Sequence, residues 1–595
     1  MTRERRAVLD PGDGERASAG AAPVGAEQPP TPVGPPGDGS STPVTGEGRT
    51  ARFDRLRQHR RWLFTFAVIA LLVEMAVAMV TTAVEQTPTI DEPVYAGTAV
   101  VYLQQHDLRF NPEHPPLGKL IIGSGLAFAH PHLDPHFTGN QTELGRRLLY
   151  ESGNDPGRLM LWARLPVITL TLLFGLVVLA FARDLTGSAG SLVALALYAL
   201  SPDLIAHGSL ATLDVPAAGF LLTSAWLVWR ARDRPRLYLP LAGTALGAAA
   251  ATKMSVLPAV PVLLCLVVLS VWSARRTRTV GARPSLRLLA LGVAAAAGVA
   301  LVAVAVVWAT YLAVDPRLRW TAPAQVPDIH GMRGLIADRL PFPQPYRDGM
   351  RIQFGFEYST WEGFLLGRHY RGALWYYLPT ALLIKTPLGM LTLWAAGAVV
   401  LGAVRRLRPA APYVLAPPAV LLAAAMLGSR DLGVRYALFM PVFLAVAAAG
   451  VVMLRRRWAH LVTAALVLFV AVSSLLTYPY YLPYSNEAFG GTSRTHLRLH
   501  DSNVDWGQDL GRLADRLRLR YPGERVWLVY KGSGVPAQYG IHASDPRKAP
   551  LDSVHGLLVV SDSSVAKAEG RLAELIDTSR PVDEVGHSLT IYRRP

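Results

Sequence analysis

The chain has 595 residues, 51% hydrophobic and only 17% charged, and its mean hydropathy of +0.27 excludes an ordinary soluble protein of this length. The formal net charge of +16 raises nucleic acid as a partner, but the arginines cluster in short segments between apolar runs, where they set membrane topology; the chain is read as binding no nucleic acid. One cysteine, Cys265, excludes an intrachain disulfide framework or a cysteine-built metal site.

Residues 1–60 are Pro, Gly, Ala, Thr and charge, too poor in large apolar side chains to offset the entropy of ordering. They are predicted to be a disordered cytoplasmic tail, and they lack the apolar stretch of a cleavable signal peptide. Apolar segments follow near 62–84, 159–182, 188–206, 213–229, 237–252, 254–273, 286–312, 374–402, 413–427, 434–454 and 458–477. They predict a polytopic helical membrane protein of about eleven spans. The segments near 237 and 254 adjoin, so one of them is expected to be broken or re-entrant. With the amino terminus in the cytoplasm, the cytoplasmic loops become "RDLTGS", "WRARDRPR", "SARRTRTVGARPSLR", "VRRLRP" and "LRRRW", nearly all rich in arginine. The opposite side receives the long loops 85–158 and 313–373 and everything after residue 477. The protein is therefore read as a multi-pass plasma-membrane protein, and its Ala, Arg, Gly and Pro usage with little Lys as bacterial.

Residues 478–595 change character. "RVWLVYKG", "HGLLVVSD" and "HSLTIYRR" read as strands, "DLGRLADRLRLRYPG" and "SSVAKAEGRLAELIDTS" as helices. Together they predict a small extracytoplasmic α/β domain behind a catalytic membrane domain over 61–477.

The chemistry-bearing residues fall on the outer side. "GTALGAAAATK" lies in an apolar span with the wrong spacing for a phosphate loop, and no dinucleotide fingerprint occurs. A group transfer outside needs a donor carried across the membrane, which a lipid-linked donor satisfies. Asp91 and Glu92, in "TIDEP", either begin a helix or present a general base at the membrane surface. In "PEHPPLGKL" two prolines fix a bend that carries Glu113 and His114, with Lys119 one turn on; acid, imidazole and ammonium there suit metal or phosphate, or form a solvated corner. The histidines of "HPHLDPH" are read as a solvated loop. Asp214 opens a span, as an N-cap or as a second acid. His369 precedes Trp375, Tyr376 and Tyr377, which equally suit an interfacial belt. Lys253 and Lys385 lie in or near apolar runs, where an unpaired ammonium is costly and a lipid phosphate is a good partner. Arg435 and Tyr436 stand at another outer rim, and the arginine fork matches phosphate oxygens. In "SNVDWGQDL", Asn503, Asp505, Gln508 and Asp509 either contact sugar hydroxyls or cap a helix.

"DEPVYAG", "RFNPEHPPLGKL", "SPDLIAHGSLATLD", "ATKMS", "WYYLPTALLIKTPLG", "GVRYALFMP" and "LPYSNEAFGG…DSNVDWGQDL" occur in this order. Over about residues 60–540 they resemble phospholipid-carrier-dependent glycosyltransferases of the GT-C fold, relatives of the dolichyl-phosphate-mannose protein mannosyltransferases and of the lipid A aminoarabinose transferase. The resemblance implies inverting transfer of a sugar from a polyprenyl phosphate to an acceptor hydroxyl on a protein, glycolipid or polysaccharide. It implies Asp91 as base with Glu92 beside it, and Asp214 as the second acid. Glu113 matches a glutamate that touches a metal in the aminoarabinose transferase. His114 stands where that enzyme has lysine, as in the mannosyltransferases. His369 falls roughly at the second metal ligand, with different spacing and flanks, so a divalent metal is the implied cofactor. His114, Lys119, Lys253, Lys385, Arg435 and Tyr436 are the candidates for the donor phosphate. A flippase for a lipid-linked sugar and a cell-envelope assembly protein are the rival readings.

Overall fold

The computed structural model describes residues 47–276, 286–323, 326–454 and 456–595. Residues 1–46 of the expected disordered tail and the centre of the "SARRTRTVGARPSLR" loop therefore lie outside the described residues, while residues 47–60, expected to be disordered, are helical. The described residues fall into two units divided after residue 60. The second unit holds the apolar helices from residue 61 onward and the carboxyl-terminal sheet.

Each predicted apolar segment is occupied by helix, because a backbone in lipid must satisfy its own hydrogen bonds. Among the described residues, five helices are long and apolar enough to cross a membrane: Gln58–Glu85, Pro156–Ala199, Leu286–Val314, Arg408–Met426 and Arg457–Thr477. A bent pair, Tyr377–Lys385 with Leu388–Ala403, makes up to six. The expected count of eleven is not reached on length. Asp214–Arg230 has 17 residues, about 25 Å at 1.5 Å per residue against about 30 Å of hydrocarbon. Ala259–Ala274 and Phe439–Met453 are shorter apolar helices. The predicted spans 159–182 and 188–206 join in the 44-residue element Pro156–Ala199, which is broken at Gly187 (φ 78°).

The expected single span 374–402 is two helices at 118°. Pro387 has no N–H to continue the first, and residues before proline avoid helix. The carbonyls freed at the break find donors elsewhere: Asn486 Nδ2 donates to Leu383 O (2.7 Å) and Thr386 O (2.9 Å), and its backbone N–H to Ile384 O (2.9 Å).

Outside the membrane segments, the first long loop carries helices Glu92–Gln105 and Pro116–Leu126. The second carries helix Gln344–Phe356 and a hairpin of β1 (Glu362–Leu365) and β2 (Arg368–Arg371). The carboxyl-terminal residues form a mixed five-stranded sheet from β3 (Val526–Val529), β4 (Ala543–Ser544), β5 (Gly556–Ser561), β6 (Arg580–Val585) and β7 (Leu589–Arg594), in the order β4-β3-β5-β7-β6. β3 is parallel to β4 and β5; β7 is antiparallel to β5 and β6. Leu557, Val559 and Ile591 on one face pack with Leu510, Leu513 and Leu517 of helix Leu510–Arg520. The other predicted helix, 563–579, is two, Asp562–Val565 and Gly570–Asp577. Gly570 has φ +54°, a left-handed conformation that a helix does not continue through.

Candidate active site

Asp91 and Glu92 open helix Glu92–Gln105 but part company at once. Asp91 occupies the N-cap position and its side chain makes no capping bond. Its Oδ2 instead accepts from Arg435 Nη1 at 2.6 Å, across 344 residues of sequence. Glu92 is fully buried and both its oxygens are taken. Arg164 Nε and Nη2 donate to it at 2.7 and 2.6 Å, Thr89 N and Oγ1 at 2.9 and 3.0 Å, and Ala211 N at 2.7 Å. Arg164 also reaches the carbonyls of Ala83 and Gln86. Burial alone would raise the Glu92 carboxyl; the Arg164 charge and these N–H donors outweigh it and hold it below the usual carboxylate range. Glu92 thus clamps the end of the first span, the second and the 201–213 loop, and it aligns its neighbour from a fixed point. Arg164 is absent from the residues picked out of the sequence. An arginine inside a predicted span was the signal.

Asp214 starts its helix without capping it, and Lys253 Nζ donates to its Oδ1. The Lys253 ammonium lies 5.4 Å from the centre of the Tyr436 ring, and the Arg435 guanidinium 5.1 Å from it. Asp214, Lys253, Arg435 and Tyr436 line one small cleft together with Leu221, Leu421, Leu438 and Phe439. Two cations, each paired with a carboxylate, beside apolar side chains are a lining that suits an anion carrying a hydrocarbon group.

The "PEHPP" bend faces the same region. Burial and then the positive charges of Lys253, Lys119, Arg430 and Arg435 hold the His114 imidazole well below its ordinary range, so it is neutral. Burial, and then the charges of Asp91, Asp214 and Glu113, push the Tyr95 hydroxyl up. His114 Nδ1, Arg435 Nε and both nitrogens of the fully buried His207 make no hydrogen bond to protein, although buried polar atoms are nearly always satisfied.

Several candidates turn inward instead. Lys119 Nζ donates to Asn111 O and His114 O, both at 2.7 Å, and so holds the bend rather than a phosphate. Burial pulls its ammonium down to about 7. Lys385 Nζ donates to Leu482 O (2.5 Å) and Asn503 O (3.1 Å) and pairs with Asp203 at 3.5 Å, with no free face. Asn503, Asp505, Gln508 and Asp509 are all buried. Asn503 binds Val434 N and the Tyr377 hydroxyl, Gln508 binds Trp506 N and Val504 O, and Asp509 accepts from Arg512 and Ser588. Asp505 Oδ1 accepts from Gly507 N. None of the four is presented to an outside sugar. Nor does Asn503 or Asp505 cap the next helix, whose N-cap is Asp509.

The two residues suggested for a metal have other partners. Glu113 Oε1 accepts from Asn111 and Gln141, at 2.9 and 2.8 Å. His369, on β2, pairs with Glu569 at 3.0 Å and faces Glu362 at 4.0 Å. Among the described residues no cluster of three or more His, Cys, Asp or Glu is arranged to hold a metal.

The match to known proteins falls on this ground. Residues 68–315 match the family model of the dolichyl-phosphate-mannose-protein mannosyltransferases. That stretch is mannosyltransferase-like. It contains Asp91, Glu113, His114, Asp214 and Lys253, and it bears out the resemblance read from the motifs; Arg435 and Trp506 lie beyond it. Among solved structures, similarity extends to ArnT from Cupriavidus metallidurans bound to undecaprenyl phosphate, with 15% identity, a TM-score of 0.44, and coverage of 88% of this chain and 97% of that one. It extends also to the S. cerevisiae protein O-mannosyltransferase complex bound to the sugar donor, with 17% identity, a TM-score of 0.33, and coverage of 43% and 34%. A third is the Archaeoglobus fulgidus oligosaccharyltransferase with Zn and sulfate, with 13% identity, a TM-score of 0.40, and coverage of 88% and 73%. No curated protein matches.

Proposed function

We propose that this chain is a membrane glycosyltransferase of the GT-C type. It moves a sugar from a polyprenyl-phosphate carrier to an acceptor hydroxyl on the outer face, with inversion. The observation that carries this reading is the Asp91–Arg435 pair, with Arg435 lining a cleft together with Asp214, Lys253 and apolar side chains. The mannosyltransferase match over 68–315 supports the reaction class.

In the resting site Arg435 occupies the Asp91 carboxylate. An arriving donor phosphate competes for the guanidinium, with Lys253 and the neutral His114 beside it and the prenyl chain along Leu221, Leu421 and Phe439. Arg435 passes to the phosphate and frees Asp91. Asp91 takes the proton of the acceptor hydroxyl as its oxygen attacks the anomeric carbon from the face opposite the phosphate. The bond from that carbon to the phosphate oxygen breaks, and the polyprenyl phosphate leaves with the electron pair, its charge met by Arg435 and Lys253. Glu92, clamped by Arg164, fixes where Asp91 stands. No step uses a metal. The acceptor is a hydroxyl of a protein, a glycolipid or a polysaccharide, and the 478–595 segment is read as an outer domain above the site.

The deciding experiment gives the purified protein radiolabelled polyprenyl-phosphate sugars and an envelope extract. Acceptor-dependent release of free polyprenyl phosphate is expected. Translocation of intact donor without release would point to a flippase, and neither activity would point to an assembly protein.

A further inference from the structure

The segment 500–510 threads between the two stretches that carry Asp91 and Arg435. Towards the first, Ile90 N donates to Trp506 O (3.0 Å), Thr87 N to Gln508 O (2.9 Å) and Thr87 Oγ1 to Gly507 O (3.0 Å). Towards the second, Val434 N donates to Asn503 Oδ1 (3.0 Å), Ser502 Oγ to Leu432 O (2.5 Å), and His500 Nε2 meets Asp431 O at 3.1 Å. Ile90 and Val434 are the residues immediately before Asp91 and Arg435.

At the centre lies the indole of Trp506, 1% exposed. The Arg435 guanidinium sits 4.5 Å from its ring centre, closer than to Tyr436, and the His207 ring meets it edge-on at 6.0 Å. Arg435 has few directional contacts: Nη1 to Asp91, a long 3.5 Å bond from Nη2 to the Tyr436 hydroxyl, and none at Nε. What fixes the guanidinium apart from Asp91 is two aromatic faces. A desolvated cation over an indole is the strongest form of that contact.

The carboxyl-terminal sheet fixes the indole in turn. Gly507 takes φ +89°, and a Cβ there would stand 2.7 Å from Gly532 Cα. The Tyr530 hydroxyl, just past β3, donates to Gly507 O at 2.7 Å, and Ser533 Oγ donates to Thr89 O at 3.0 Å. A chain of direct contacts thus runs from β3 through Gly507 and Trp506 to Arg435 and Asp91.

We propose that Trp506 is a positioning residue that holds the Arg435 guanidinium opposite Asp91, and that the carboxyl-terminal sheet completes the site through it. This deepens the glycosyl-transfer reading. Once the donor phosphate has drawn Arg435 off Asp91, the indole face is what keeps the guanidinium in register with both groups.

The test uses the full-length protein in two arms. In the kinetic arm, Trp506→Leu lowers kcat/KM for donor about tenfold or more. Trp506→Phe, which keeps a ring face, costs under about threefold, and Trp506→Leu adds under about threefold in an Arg435→Gln background. A purely packing role predicts the opposite: the two losses multiply, and Phe is as damaging as Leu. In the second arm, amide hydrogen exchange is compared over peptides 86–92 and 431–437. Trp506→Leu accelerates both together and Trp506→Phe neither; no change in either peptide overturns the proposal. Should Trp506→Leu fail to fold, Trp506→Phe decides, since a loss matching that of Arg435→Gln is fatal. A wild-type protein that releases no polyprenyl phosphate sinks the transfer reading, while exchange still rules on the coupling.

Discussion

Asp91 and Glu92 share a peptide bond, yet the Asp91 side chain keeps 27% of its surface and Glu92 none. A general base must reach its substrate; a clamp must not. The two therefore respond differently to the same isosteric change. Asp91→Asn should insert normally, still bind donor lipid, and lose about a hundred- to ten-thousandfold in transfer rate; near-wild-type turnover would remove Asp91 as the base. Glu92→Gln leaves Arg164 charged and short of its partner in the interior, a change that typically costs about 3–5 kcal/mol. It should show as a large fall in detergent melting temperature and in yield, before any question of catalysis arises. An unaltered melting curve would mean that the clamp is dispensable.

At the scale of elements, the apolar runs announced where helix would form, because length and hydropathy alone decide that in lipid. The central strands were legible as β-branched runs, and three of them lie where "RVWLVYKG", "HGLLVVSD" and "HSLTIYRR" do. What was not legible lacks a local signature. β4 is two residues long, and β6 carries Pro581, Asp583 and Glu584, an edge strand without the apolar alternation that marks one. The site shows the same division. "DEP", "EHPP" and Asp214 could be found from the chain. Trp506 and the inward turn of Lys385 depend instead on partners far off in sequence, and that of Lys119 on how the proline bend closes over it. The sheet also makes a prediction of its own. Burial raises the Asp562 carboxyl to about 7; its Oδ1 accepts from Thr590 and its Oδ2 has no partner. A folded-state value above the unfolded one means that its contribution is complete below about pH 4 and is lost as pH rises through 7. Asp562→Asn should therefore raise the melting temperature by a few degrees at pH 8 and leave it nearly unchanged at pH 4. Equal gains at both pH values would show that the acid is not protonated in the fold.

Across the whole molecule, the argued orientation puts the arginine-rich turns inside and the sheet outside. In a Cys265→Ser background, cysteine at the exposed Lys548 should react with a membrane-impermeant maleimide on intact cells, and cysteine at the exposed Arg406 only after lysis. The reverse pattern would invert the topology and put Asp91 on the wrong side for a lipid-borne donor. The break between Tyr377–Lys385 and Leu388–Ala403 has a consequence for how the protein is made. The groups that close it come late: Asn486 lies 100 residues beyond Thr386, and the carbonyls of Leu482 and Asn503 lie 97 and 118 residues beyond Lys385. A nascent chain that has just finished inserting Arg457–Thr477 still holds an open hinge, with Asp203 the one side-chain partner of Lys385 already made. In the argued orientation, assembly of the bundle is then completed from the far side of the membrane, by translocated chain. Ribosome-arrested chains ending at residue 480 should leave the Lys385 amine open to an acylating reagent, and chains extended past residue 520 should shield it.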